Sequence, residues 1–260
     1  MIIDIHSSII PDDTETKARL GITSEYYDQC TVSQQLRRME ENGIDSAVVW
    51  TAIPFESEWI MARNRWLAEE IAKHEGKFIG FAALYPMDLK ESLKALEQAI
   101  VELGLAGIKV HPLAQKFRFN DPKFIELVKE IATLDVPLVI HVDMREPGLK
   151  DREEVTEWSK PEFLLDVLAV YDSPNVMAAH MGGLLIEEIR NSKISFQTTG
   201  VQKETIEYAC QEVGAERILF GSDFPSFQVE EEIRKVHEAN ISPNEREMIF
   251  NDNAKRMFNI

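Results

Sequence analysis

The amino-acid sequence predicts an α/β protein in which eight parallel strands and their surrounding helices form a (β/α)8 barrel, or TIM barrel. Short runs rich in β-branched apolar residues alternate along the chain with amphipathic segments of helical length. The strand runs are almost continuously hydrophobic, which is typical of parallel strands buried on both faces. A length of 260 residues suits one such barrel. A doubly wound sheet is the alternative, but no GxGxxG phosphate loop follows the first strand.

The predicted elements alternate regularly over a single domain, residues 1–260. The strands are expected at 2–6, 46–52, 78–85, 106–111, 137–142, 175–180, 194–199 and 217–222. The helices are expected at 33–43, 57–76, 88–104, 121–134, 160–171, 203–214 and 229–239. The tail, residues 242–260, predicts an added helix that packs beneath or beside the barrel.

Two kinds of residue mark where the predicted helices begin and end. Thr31 and Gln34 have the spacing of a capping box at the start of the helix 33–43. Glycines stand where four helices are expected to stop, because glycine readily adopts the left-handed conformation that ends a helix. They are Gly43, Gly76, Gly104 and Gly214.

The charge and cysteine content of the chain exclude several classes of partner. The chain has 45 Asp and Glu against 28 Lys and Arg, a net charge of −17, whereas phosphate binding needs a Lys/Arg surface. Cys30 and Cys210 form no CxxC pattern, which predicts a reducing compartment and no disulfide scaffold. We see no signal-peptide pattern and no apolar run near the roughly 20 residues that cross a bilayer. We therefore expect a soluble cytoplasmic protein without nucleic-acid or membrane partners.

Polar residues gather at the carboxyl ends of the predicted strands. In a parallel barrel these ends meet at one rim, which is where the active sites of such barrels lie. The long loops 7–30 and 143–159 would cover the same rim. Strict alternation along the first strand would also place Asp4, His6 and Ser8 on one face. The strand-end residues are His6 on the first strand, Lys109 and His111 on the fourth, His141 on the fifth, His180 on the sixth and Asp223 after the eighth.

The residue types at this rim favour a divalent metal ion. No HExxH or CxxC motif is present, so no single stretch of the chain would hold an ion alone. Imidazoles and one carboxylate from separate strands can instead hold one Zn²⁺ or similar ion and leave a position open for water. Such an ion lowers the pKa of bound water toward about 7 and polarises a carbonyl oxygen.

Five motifs resemble those of the amidohydrolase superfamily, and most closely its amidohydrolase-2 branch of metal-dependent hydrolases and decarboxylases. They are IDIHSS (3–8), GIKVHP (107–112), HMGG (180–183), FGSDFP (220–225) and NDNAKRMF (251–258), in the order of the family. The resemblance implies metal ligands at His6, His141, His180 and Asp223. It also implies catalytic roles for His180 and Asp223, and association into a homodimer.

Ser8 departs from the family pattern, in which the first strand carries HxH with both imidazoles on the metal. A neutral hydroxyl is a poorer ligand for Zn²⁺ than imidazole is. Either the ion persists with the remaining ligands and a water beside Ser8, or the site works without metal. A relative that binds a ligand without turnover is a further possibility.

Substrate contacts are expected from Lys109, His111, Arg145 and Ser8. Lys109 would form a carbamate that bridges two metals, a cationic clamp for an anionic substrate, or an ion pair with Asp4. Arg145, on the loop after the fifth strand, is suited to hold a carboxylate with two hydrogen bonds. By contrast, the acidic run Glu230–Glu232 predicts a solvated helix face, and Trp50 predicts packing in the core.

These residues predict an enzyme that acts on a small molecule, and a carboxylate-bearing substrate is one candidate. The primary hypothesis is a metal-dependent hydrolase of an amide, ester or lactone, in which Asp223 shuttles a proton from the activated water. The alternative is a decarboxylase of an aromatic or unsaturated carboxylic acid, in which Asp223 protonates carbon.

Overall fold

Eight parallel strands form one sheet in the order of the sequence, β1 to β8. The structure, a computed structural model, describes residues 1–13, 15, 16, 18, 24–51, 57–142, 158–183 and 185–260. The strands are β1 Ile3–Ser8, β2 Ser46–Trp50, β3 Phe78–Ala83, β4 Gly107–Val110, β5 Leu138–Ile140, β6 Val176–Ala178, β7 Ser195–Gln197 and β8 Ile218–Leu219. The predicted (β/α)8 barrel is confirmed, and most of its strands are shorter than the sequence predicts.

Helices follow the strands around the outside of the barrel. The α-helices are Ser24–Gln29, Val32–Asn42, Ser57–Ala72, Leu89–Glu97, Pro112–Gln115, Pro122–Leu134, Leu164–Leu168, Ile186–Ile189, Lys203–Val213, Val229–Glu238, Pro243–Glu247 and Asn253–Phe258. The π-helical turn Gln98–Glu102 continues the helix Leu89–Glu97, and the π-helical turn Met248–Asp252 joins the last two helices. Short 3-10 turns cover Pro161–Phe163 and Ala215–Arg217. Of the helices in the described ranges, none is long and apolar enough to cross a membrane.

The predicted capping box of Thr31 and Gln34 is wrong. Thr31 is the N-cap of Val32–Asn42, but its side chain makes no capping hydrogen bond. Its hydroxyl lies 3.2 Å from the hydroxyl of Ser33, so it is engaged locally instead. A full capping box is present at the start of the tail, where Ser242 and Glu245 each accept from the other's backbone N–H.

Two apolar clusters fill the molecule. One lies between the strands and the surrounding helices, and the other lies inside the barrel with Val48, Phe81 and Leu219 among its members. Phe258 of the last helix packs edge-on against Phe81, with ring centroids 5.9 Å apart. The tail therefore packs at the amino-terminal end of the barrel, as predicted, and leaves the carboxyl-terminal rim for the site.

The barrel closes between β8 and β1 through a short seam. The amide of Ile5 donates to the carbonyl of Phe220 at 2.9 Å, and the amide of Asp223 donates to the carbonyl of His6 at 2.7 Å. The buried Asp4 carboxylate joins the same two segments, because it accepts from both the amide (2.9 Å) and the hydroxyl (2.5 Å) of Ser222. Burial raises the pKa of Asp4, although the hydrogen bonds from Ser222, His6 and Ser7 act in the opposite direction.

The prediction that Asp4 shares one face of β1 with His6 and Ser8 is wrong. The pairing of β1 with β2 shifts register between Asp4 and Ser7, where β1 holds one residue more than its partner. Such a β-bulge reverses the facing of the residues that follow it. Asp4 therefore contacts the hydroxyl of Ser7 at 2.9 Å and the β8 segment, while His6 turns toward the barrel rim.

We expect the change Asp4→Ala to destabilise the fold by about 2 to 4 kcal/mol, because it leaves buried donors of the seam unsatisfied. Urea unfolding would measure the loss. The matched control is Asp45→Ala, which removes an exposed carboxylate that accepts from the Ile2 amide at 2.8 Å. A loss at Asp4 no larger than that at Asp45 would show that the seam does not depend on this carboxylate.

Candidate active site

The structure brings the strand-end side chains together at one rim. Nε2 of His6 lies 3.3 Å from Oδ1 of Asp223. Nε2 of His180 lies 3.3 Å from Nδ1 of His141, and the rings of His6 and His180 have centroids 5.8 Å apart. Residues separated by more than 200 positions thus converge as the strand-end pattern predicts, while their roles remain a prediction.

His111 extends this cluster. Its ring stacks on that of His141, with centroids 3.8 Å apart and an angle of 17° between the planes. Nδ1 of His111 accepts from the amide of Ala114 at 3.2 Å, because His111 is the N-cap of the helix Pro112–Gln115. The bond fixes the ring at the rim.

Lys109 is fully buried inside the barrel, and its ammonium has no hydrogen-bond partner among the described residues. The nitrogen lies over the ring of Trp50, 4.4 Å from its centroid. Burial lowers the pKa of Lys109 to about 7, although the charge of Asp223 acts in the opposite direction. The predicted ion pair with Asp4 is wrong, because Asp4 belongs to the β8–β1 seam.

The other two predicted substrate contacts are Ser8 and Arg145. Ser8 follows His6 toward the rim, and its hydroxyl is directed at the Cys30 sulfur at 4.0 Å. Burial raises the pKa of the Cys30 thiol to about 12, so this sulfur is an uncharged neighbour. Arg145 lies outside the described residues.

Two of the rim residues adopt a backbone conformation that is uncommon for residues other than glycine. His180 and Asp223 have φ angles of 52° and 54°, in the left-handed region. After β6 the left-handed run continues through Met181, Gly182 and Gly183, which explains the glycines of HMGG. Such strained positions are concentrated at functional sites.

Hydrogen bonds at the far side of two imidazoles determine which nitrogen faces the site. Nδ1 of His180 lies 3.0 Å from the carbonyl oxygen of Thr199, which can only accept, so Nδ1 carries the proton. Nδ1 of His6 lies 2.5 Å from the side-chain oxygen of Gln197. In both residues Nε2 is the atom turned toward the cluster.

The electrostatics of the site favour neutral imidazoles at His111, His141 and His180 and an ionised carboxylate at Asp223. Burial lowers the pKa of His180 to about 4, and burial with the charge of Lys109 lowers that of His111 to about 3. Burial also lowers the pKa of His141 well below its usual value. Burial alone would raise the pKa of Asp223, but the charge and hydrogen bond of His6 lower it to about 2.

These donors have the chemistry that a divalent cation needs. Two neutral nitrogens face each other between His180 and His141, and a nitrogen faces an ionised oxygen between His6 and Asp223. Protonated Nδ1 atoms held by acceptors are also typical of metal-binding histidines. Within the described ranges, no three His, Cys, Asp or Glu side chains are already arranged around one point as ligands.

Sequence reasoning missed three residues of the site. Trp50, predicted as core, packs edge-on against His6 at 4.6 Å between ring centroids and underlies Lys109. Gln197 ends β7 and Thr199 follows two residues later, and they orient the imidazoles of His6 and His180 respectively. The polar run QTT at the end of the seventh predicted strand was the available signal for the last two.

A family model described as Amidohydrolase matches residues 3–260 of the chain. The chain belongs to this family. The expectation of an amidohydrolase-superfamily enzyme, whether hydrolase or lyase, is thereby confirmed.

Several proteins similar to this chain are decarboxylases. The γ-resorcylate decarboxylase of Polaromonas sp. strain JS666 is 23% identical over 283 residues, which cover 87% of each chain. The solved structure of 2,6-dihydroxybenzoate decarboxylase complexed with 2,6-dihydroxybenzoate has a TM-score of 0.78 and 20% identity, and covers 100% of this chain and 98% of that one. A dihydroxybenzoic acid decarboxylase from Polaromonas sp. JS666, with manganese and 2-nitroresorcinol bound, has the same TM-score and identity over 99% and 96%. The structural likenesses show the fold, and the relatives favour decarboxylation over the primary hypothesis of hydrolysis.

Proposed function

We propose that this protein is a metal-dependent decarboxylase of a small hydroxylated aromatic carboxylic acid. The observation that carries the proposal is the Lys109 ammonium, which is buried at the rim without a hydrogen-bond partner among the described residues. A buried cation of this kind needs an anion, and a substrate carboxylate supplies one. The named activity of the relatives supports the same reaction.

A divalent ion is part of the proposal, with His6, His141, His180 and Asp223 as the residues that would hold it. Imidazole nitrogens together with an ionised carboxylate suit manganese or the predicted zinc. Bound there, such an ion would polarise the oxygens of the substrate. Manganese in a structural neighbour supports a divalent ion without selecting between the two metals.

In this proposal Lys109, His111 and Asp223 have the remaining roles in binding and proton transfer. Lys109 holds the substrate carboxylate, and His111 lines the same side of the rim. Asp223 keeps 23% of its side chain exposed, so its carboxylate can take a proton from solvent and pass it to the ring carbon. The bond between the ring and the carboxyl carbon then breaks, its electron pair remains on the ring carbon with the new proton, and carbon dioxide leaves.

The test is incubation with 2,6-dihydroxybenzoate in water enriched in oxygen-18. We expect one carbon dioxide per substrate consumed and no heavy oxygen in the aromatic product. Simple esters, amides and lactones, offered in parallel, should remain intact. Heavy oxygen in a hydrolysis product, without release of carbon dioxide, would restore hydrolysis as the activity.

Removal of the metal should abolish this turnover. Because a bound ion would polarise the substrate, we expect dialysis against a chelator to lower the rate by about 100-fold or more, and Mn²⁺ or Zn²⁺ to restore it. Carbon dioxide release, measured together with the metal content of each sample, checks the expectation. Equal rates in the metal-free and reconstituted protein would eliminate the metal from the proposal.

A further inference from the structure

The peptide group of Thr199 and Gly200 lies between His180 and the buried carboxylate of Glu232. The sequence pattern did not identify this carboxylate as part of the site. The Thr199 carbonyl oxygen accepts from Nδ1 of His180 at 3.0 Å. The amide of the next residue, Gly200, donates to Oε2 of Glu232 at 3.0 Å. The carbonyl and the amide belong to the same planar peptide and point in opposite directions. Glu232 therefore binds the N–H of the same peptide whose carbonyl oxygen binds the His180 imidazole.

The burial of Glu232 corrects a prediction. The acidic run was expected to be a solvated helix face, and the side chains of Glu230 and Glu231 are indeed 57% and 55% exposed. The side chain of Glu232 is only 2% exposed. Glutamate is rarely buried to this extent unless its charge is paired.

The partners of Glu232 explain how its charge is held. Nζ of Lys235 lies 2.6 Å from Oε1, which leaves Oε2 for the Gly200 amide. Burial raises the pKa of Glu232, as does the charge of Asp223, while Lys235 and the Gly200 amide act in the opposite direction. Lys235 also lies over the ring of Phe227, 5.9 Å from its centroid, and that ring faces His180 at 6.5 Å.

We propose that Glu232 is a positioning residue for His180, acting through the Thr199–Gly200 peptide. A carboxylate that accepts from the amide polarises the peptide and makes its carbonyl oxygen a stronger acceptor. The stronger acceptor holds the imidazole ring in place and keeps the proton on Nδ1, so that Nε2 stays available toward His141. In many metal sites a carboxylate accepts directly from the imidazole N–H and fixes the orientation and tautomer of the ring. In this protein the Thr199–Gly200 peptide lies between the carboxylate and the imidazole.

The effect on turnover rests on the proposed function, but the effect on the imidazole is measurable without substrate or metal. The variant Glu232→Ala removes the acceptor, and Glu232→Gln keeps an oxygen for the Gly200 amide without the charge. Glu231→Gln is the matched control, because it neutralises the neighbouring, exposed carboxylate on the same helix.

Two readouts test the inference on protein labelled with nitrogen-15 in histidine. In the metal-free wild type, long-range proton–nitrogen spectra should show His180 with Nδ1 protonated, its signals assigned by their loss in His180→Gln. In Glu232→Ala we expect these shifts to move toward the average of the two tautomers. We also expect Mn²⁺ affinity, measured by electron paramagnetic resonance, to fall about 10- to 100-fold. Glu232→Gln should be intermediate, and Glu231→Gln should match the wild type.

Unchanged His180 shifts and Mn²⁺ affinity in a folded Glu232→Ala protein would overturn the inference. If that variant does not fold, as judged by circular dichroism, unchanged values in Glu232→Gln overturn it equally. Where 2,6-dihydroxybenzoate is a substrate, kcat should fall about 10- to 100-fold in Glu232→Ala, with KM nearly constant. A protein that lacks decarboxylase activity but shows the tautomer change would refute the proposed function and leave this inference intact.

Discussion

The change Asp223→Asn should lower kcat/KM for 2,6-dihydroxybenzoate by about 10²- to 10⁴-fold, the range that general acid–base catalysis contributes. The amide has the same shape as the carboxylate, but it cannot carry a proton to the ring carbon and is a weaker ligand for a divalent ion. Asparagine also tolerates the left-handed backbone at this position, where φ is 54°. Steady-state release of carbon dioxide measures the loss.

Asp135→Asn is the matched control for this variant. Asp135 has a φ angle of 51° and ends the helix Pro122–Leu134, at the amino-terminal end of β5 and away from the rim. It accepts from Asn175 at 3.1 Å, so the control makes the same chemical change in a similar backbone. We expect activity within about twofold of the wild type. An Asp223→Asn enzyme that retained a tenth or more of the wild-type rate would refute the proton-carrying role.

The change Lys109→Met should have opposite effects on activity and stability. Methionine preserves the unbranched side chain over Trp50 but removes the charge that we propose for the substrate carboxylate. The loss of a charge-assisted hydrogen bond costs about 1.5 to 3 kcal/mol, so KM should rise roughly 10- to 150-fold. At the same time, removal of a buried cation that has no hydrogen-bond partner among the described residues should stabilise the fold by about 1 to 4 kcal/mol.

The gain in stability should depend on pH in a direction that follows from the lowered pKa of Lys109. In the unfolded chain lysine keeps its proton up to its ordinary pKa of 10.5, whereas in the folded protein the pKa is about 7. The unfolded state therefore binds more protons between these values, and wild-type stability rises with pH across that interval. The advantage of Lys109→Met should be largest below pH 7 and should disappear toward about pH 10.5.

Urea unfolding at several pH values measures this difference, and Lys129→Met is the control. Lys129 pairs with Glu126 on the surface, where its side chain is 52% exposed. Its replacement should change stability by less than about 0.5 kcal/mol at any pH and should leave KM unchanged. A Lys109→Met protein that is less stable than the wild type at neutral pH would show that the ammonium is satisfied in the folded protein.

Periodicity along the chain was sufficient for the architecture. Apolar runs and amphipathic segments predicted all eight strands and an added tail helix beneath or beside the barrel, because burial on both faces leaves a local signature. The polar residues that interrupt those runs at their carboxyl ends predicted where the site lies. Chain topology requires the ends of parallel strands to meet at one rim, so no knowledge of contacts was needed.

The hydrogen-bond partners of individual side chains depended on tertiary contacts, which no local sequence pattern contains. Asp4 left the predicted face because a bulge in β1 and the seam with Ser222, 218 positions away, set its direction. Glu232 is one of three consecutive glutamates, and only the approach of the Gly200 amide distinguishes it from its exposed neighbours.

The sequence by itself determined the barrel, its family and the rim at which the histidines, Lys109 and Asp223 collect. Only the tertiary structure decided which nitrogen of His6 and His180 faces inward and that Lys109 has no hydrogen-bond partner among the described residues. The physical reason is that hydrophobic burial follows a short repeat along the chain. Hydrogen bonding and charge pairing depend instead on distances between atoms that the fold brings together from remote positions.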